Sequence, residues 1–209
     1  MEPIARHLRN PFGIQPPCEP VEGAEPVPGY GRPEADFHLI GNHAGVHGGA
    51  KTGIPFTDHP AGRAVLEVFE TIGLLDRAND GRPVGRELFM SYVHMCPVAE
   101  GAEPTDAAYR DLHRFFDAEL RAVNAHILVP VGARATDRIL AGYTTQFRKL
   151  PVDMDWRHAR DIRGRGFLVV PMKDPSDWQG DDRDRIIARL RKIRNSDYRQ
   201  TKGVATMIG

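Results

Sequence analysis

Apolar positions along the chain fall into short continuous runs that alternate with longer stretches of helical period. The runs "DFHLI" (36–40), "ELFMSYVHM" (87–95), "HILVPV" (126–131) and "GFLVVPM" (166–172) read as buried strands. After the first strand, Val65, Val68, Phe69, Ile72 and Leu75 share one face of a helix predicted from about Ala61 to Leu75. After the second, Thr105 caps a helix whose Tyr109, Leu112, Phe116, Leu120 and Val123 form an apolar stripe. A short helix with Ala135, Ile139 and Leu140 follows Gly132, residues 143–165 are irregular and charged, and a last helix presents Ile186, Ile187, Leu190 and Ile193 inward. Strands alternating with helices require right-handed crossovers and a sheet covered on both faces. The predicted fold is therefore α/β, a three-layer α/β/α sandwich with a central four-stranded parallel sheet. In such sheets ligands bind beyond the carboxyl ends of the strands, which singles out loops 41–60, 96–104 and 173–182.

Outside this pattern, residues 1–34 are rich in proline and glycine and show no period, so they read as an extended arm wrapped on a domain spanning 35–195. The tail 196–209 also lacks a period. A chain of 209 residues can bury one core without staples. Lysine plus arginine equals aspartate plus glutamate, 28 each, which excludes a purely electrostatic nucleic-acid binder and leaves only local DNA contacts. No run of about 18 apolar residues exists, and "MEPIARHLRNPFG" lacks the apolar core of a signal peptide, so a soluble, cytoplasmic monomer with no membrane partner is expected. In that reducing setting Cys18 and Cys96 are expected as unpaired thiols.

The first loop, "GNHAGVHGGAKTGIPFTDHP" (41–60), carries the densest candidate chemistry. Its glycines let backbone approach a ligand closely. "GGAKTGIPF" is no phosphate-cradling P-loop, because the chain turns at Gly53-Ile54-Pro55, and no G-x-G-x-x-G opens a helix. His43, His47 and His59 are possible metal ligands, but no second cluster stands at ligand spacing, and capping or hydrogen bonding within the loop is the simpler role for each. Phe56 reads either as a core anchor or as an aromatic platform for a planar base.

"VPGYGRPEADFHLIGNHAGVHGGAKTGIPFTDHPAGRAVLEVFETIGL" resembles the first motif region of the uracil-DNA glycosylase superfamily, nearest to its prokaryotic family 4 and family 5 types. The carriers are His47-Gly48, "TGIPFTD" (52–58) and Ala61-Gly62. "MCPVAEGAEPTDAAYRDLHRFFDAELRAVNAHILVPVGARATDRIL" is similar to the family's K-C-x-P-P segment, its next helix and its third strand, and "GRGFLVVPMKDPSDWQ" to the second catalytic motif. The resemblance implies DNA base excision repair: a damaged base is flipped out of the duplex and its glycosidic bond hydrolysed. It places Phe56 as the stacking ring, Gly41 and Tyr92 beside the base, and Asn42, His43 and His47 where a water can be positioned. Asp174 stands at the position of the family's motif-two histidine, where an ionised carboxylate repels a departing base anion. Ser176 and Trp178 of the same loop, with Arg163, Arg165 and Lys173 beside it, are the expected DNA contacts. The family's iron-sulfur cluster needs four cysteines, and with only Cys18 and Cys96 present no cofactor is expected. The competing expectation is a diverged member that binds DNA or a nucleobase without cleaving it; a nucleotide-handling enzyme has only the glycine-rich loop in its favour.

Overall fold

The computed structural model describes residues 8–99, 101–145 and 152–198. In chain order these form β1 (Tyr30–Gly31), β2 (Phe37–His43), α1 (Ala44–His47), α2 (Pro60–Thr71), β3 (Leu75–Arg77), β4 (Pro83–Gly85), β5 (Leu88–His94), α3 (Asp106–Val123), β6 (Ile127–Pro130), α4 (Gly132–Tyr143), α5 (Met154–Arg157), β7 (Ile162–Arg163), β8 (Leu168–Val169), a 3-10 turn (Pro175–Asp177) and α6 (Asp182–Arg194). The main sheet runs β1-β5-β2-β6-β8-β7. Its inner four strands are mutually parallel and are the four read from the sequence, while β1 and β7 add antiparallel edges. Those two-residue edges, and the β3–β4 hairpin, are too short to show a period of two.

Both faces of the sheet are buried, and the alternation along β2 decides which side chain goes where. Phe37 and Leu39 join a core with Val65, Leu66 and Phe69 of α2 and Ile186 and Leu190 of α6. Ile40 joins the opposite core, with Phe116 and Leu120 of α3 and Ile139 and Leu140 of α4. Thr105 caps α3 by accepting from the Ala108 N–H, as the sequence pattern requires. Helix α2 stops at Thr71 rather than continuing to Leu75, because Gly73 takes a left-handed φ of 72° and turns Leu74 and Leu75 into the hairpin. No helix among the described residues is long and apolar enough to cross a membrane.

The described part of the arm lies against the domain through real contacts. Val27 is fully buried and its N–H reaches the Met95 carbonyl, and Tyr30–Gly31 pairs with β5. Cys18 is joined to Cys96 in a disulfide, which corrects the expectation of unpaired thiols. The reason is positional: the arm crosses the end of β5, where Cys96 follows Met95, and sequence separation hid that proximity. A cross-link spanning 78 residues of sequence restrains the unfolded chain by roughly 4 kcal/mol in the loop-entropy picture. Of the tail 196–209, residues 199–209 lie outside the described residues. Tyr198 sits edge-on to Phe37, 5.4 Å between ring centroids.

Candidate functional site

At the carboxyl end of β2 the chain passes straight from His43 into the single turn of α1, then bends sharply through Gly48 and Gly49 at φ of 88° and 99°. A Cβ on Gly48 would lie 1.9 Å from the Thr57 carbonyl oxygen, so only glycine permits this return of the loop on itself. Asp58 holds the bend, its carboxylate accepting from the N–H groups of Gly49 (2.7 Å) and Lys51 (3.2 Å).

Tyr92 ties the loop to the sheet. Its hydroxyl donates to the Gly48 carbonyl (2.8 Å) and accepts from the Phe56 N–H (2.7 Å). Burial pushes this phenol well above its usual range, so it remains a neutral donor. Phe56 has a left-handed φ of 65°, no exposed surface, and ring neighbours His47 and Tyr92 at 5.4 and 5.1 Å. A Cβ on Gly41 would meet the Tyr92 ring at 2.5 Å. Gly41, Phe56 and Tyr92 are thus brought together as an interlocked wall, and a base can stack on Phe56 only if that packing opens.

The two buried histidines of the loop are wired alike. The His47 Nδ1 accepts the Asn42 N–H (3.3 Å), which leaves the proton on Nε2, 2.9 Å from the Asp174 carboxylate. The His43 Nδ1 accepts the Gly45 N–H (3.1 Å), and its Nε2 lies 3.1 Å from Glu103. Each ring therefore links the first loop to a different one of the other two. Burial lowers the His43 pKa against the opposing pull of Glu103. Burial raises that of Asp174, but bonds from His47 and from the Ser176 N–H and hydroxyl outweigh it and hold the carboxyl at about 2. Asp174 is therefore ionised and spends its charge on His47. A water held by His47 requires one of that ring's two bonds to be given up. His59 caps α2 by accepting from the Ala61 N–H.

Asn42 is half-buried, and its carboxamide oxygen accepts the Tyr109 hydroxyl (2.6 Å), leaving the amino group for a ligand. Tyr109 is covered in turn by the Arg134 guanidinium, 4.3 Å from its ring centroid. Sequence reasoning missed Glu103 and read Tyr109 only as part of the helix stripe. The signal available was that Glu103 lies in one of the three strand-end loops and Tyr109 in the first turn of the helix after it.

The expected DNA contacts separate. Ser176 is exposed on the Asp174 loop, and Trp178 is half-buried against the core, its indole N–H donating to the Lys173 carbonyl (3.0 Å). Lys173 is buried, and its ammonium pairs with Asp155 (2.6 Å) and Asp182 (2.9 Å), so its charge anchors the loop instead of facing a phosphate. Arg163 pairs in register with Leu168 at the start of β8, and Arg165 lies just beyond it. Because β7 runs antiparallel, both arginines sit at the amino end of the parallel strands, away from Asp174. No group of three or more side chains among the described residues is arranged to hold a metal ion. The iron-sulfur cluster of the resemblance does not fit this chain, which has two cysteines, bonded to each other.

The family model of the uracil DNA glycosylase superfamily matches residues 28–193. A type-5 uracil-DNA glycosylase of Thermus thermophilus is 30% identical over 125 residues, covering 57% of this chain and 56% of that protein. The match thus spans little more than half the length of that relative. With the family model matched from the arm through α6, the chain belongs to the uracil DNA glycosylase superfamily.

Proposed function

We propose that the protein is a monofunctional DNA glycosylase of base excision repair that acts as a soluble monomer and hydrolyses the N-glycosidic bond of uracil or another deaminated base. The observation that carries this reading is the His47–Asp174 bond of 2.9 Å, which closes the first motif loop onto the second at the carboxyl ends of the strands. A flipped base would enter beside Gly41, between Asn42 and the wall of Phe56 and Tyr92, with the loop opening to accept it. Asp174, ionised, cannot donate to the base carbonyl, so the Asn42 amino group takes the role of donor to the departing base anion. His47 and Asp174 hold the two loops in register, and Ser176 and Trp178 meet the DNA flank.

The test uses oligonucleotides bearing uracil, hypoxanthine or xanthine opposite each normal base and in single strands, followed by cleavage at abasic sites. Abasic product with at least one base is expected. Retarded DNA without product would instead support a protein that binds a base without cleaving it, the reading favoured by the complete burial of Phe56 and Tyr92. In that case Asp174→His, which supplies a donor at the second motif, is the variant to assay for gained excision.

A further inference from the structure

We infer that Glu103 is the carboxylate that activates the attacking water and that His43 positions it; this rests on the glycosylase reading above. His43 is the last residue of β2, at the carboxyl end of the parallel strands where such sheets bind their ligands. Its ring is only 1% exposed in the side chain and cannot itself meet a water, because Nδ1 is taken by the Gly45 N–H. Its Nε2 instead reaches one oxygen of Glu103 at 3.1 Å, and the Glu103 side chain is 70% exposed. A carboxylate of the 96–104 loop is thereby brought to the end of β2, one oxygen on His43 and most of its side chain in solvent. Tyr109 faces both groups, its hydroxyl donating to Asn42 (2.6 Å) and its phenol raised by burial and by the charge of Glu103, so donor and base would border the same cleft. The charged and titratable groups facing this pair are His47 and His94 toward His43, and Tyr109 with its covering Arg134 toward Glu103.

In the step, the water oxygen bonds to C1′ of the flipped nucleotide. The C1′–N bond breaks, its electron pair leaving with the base. Glu103 accepts the proton that the water loses and later releases it to solvent, from which the base anion takes one. Glu103 is the catalytic residue here, and His43 acts through it.

The test is single-turnover excision by the full chain, with binding measured on DNA carrying the 2′-fluoro analogue of the same nucleotide. Glu103→Gln is expected to slow excision by about 10²–10³-fold, while binding to the analogue stays within about 3-fold and the acid limb of the pH–rate profile disappears. Glu103→Asp regains part of the rate, and Glu103→Ala is rescued by added formate in a concentration-dependent way. His43→Ala slows excision less and displaces the acid limb. Excision by the wild type together with an unslowed Glu103→Gln overturns the assignment and leaves the glycosylase reading standing. A Glu103→Ala defect that formate does not relieve and that follows a lowered melting temperature also overturns it. A wild type that excises no base overturns both.

Discussion

Three buried histidines lie on β2 and its immediate continuation, and they differ in what faces them. His38, in the middle of the strand, meets the Ser91 hydroxyl at 2.7 Å, and the buried Glu119, which faces Ser91, accepts the Gly29 N–H at 3.0 Å. His43 and His47, past the strand's end, meet carboxylates brought by other loops. Burial drives His38 down to about 3 and raises Glu119 to about 7, so His38 is uncharged at neutral pH and Glu119 gives up its charge as pH falls below about 7. At the strand ends a charged partner is affordable because water and loop N–H groups share its solvation. The difference teaches that the same residue type is structural filler inside the sheet and a connector at its edge, where the functional loops converge.

The largest test of this contrast is the pH dependence of stability. Glu119 has a folded pKa of about 7 against an ordinary 4.5, so its contribution is fully present below 4.5 and is lost as pH rises through about 7. Because the lowered pKa of His38 works in the opposite direction over the same window, the readout is the difference between wild type and Glu119→Gln in chemical denaturation, which should change by roughly 3 kcal/mol from pH 4.5 to 7. A difference between the two proteins that stays constant from pH 4.5 to 7 would mean that Glu119 is hydrated. Next in size, Asp174→Ala leaves the His47 Nε2 proton buried without its acceptor and should cost about 2 kcal/mol at neutral pH, read from the same denaturation curves. Ser91→Ala removes the hydroxyl that pairs with the buried His38 Nε2 and should cost about 1–2 kcal/mol. Glu103→Gln should change stability by less than about 1 kcal/mol, because that carboxylate is 70% exposed. If Glu103→Gln proved as damaging to stability as Asp174→Ala, the two strand-end histidines would both be structural ties and the distinction between them would collapse.

Much of the frame was legible in the chain. The four parallel strands, the helix stripes and the three strand-end loops follow from short apolar runs and helical spacing, which are local properties. His43 and His59 cap α1 and α2, the simpler of the roles read for them in the sequence. Illegible were the pairings between distant residues. The Cys18–Cys96 bond, the tie from His47 to Asp174 and the tie from His43 to Glu103 join positions 78, 127 and 60 residues apart. Arg163 and Arg165 were expected beside Asp174 because they precede the same strand, but that placed them at its other end.

The layers and the loops that had to meet are written along the chain as periodicity, and the family as a resemblance of motifs that the family model bears out. Only the tertiary structure decided how the site's groups are used. It turned Phe56 and Tyr92 into a closed wall, gave Asp174 to His47 and Lys173 to two aspartates, and brought out Glu103. Each of those outcomes depends on which oxygen or N–H stands within about 3 Å of a side chain, and that distance is set by packing between elements, not by order along the backbone.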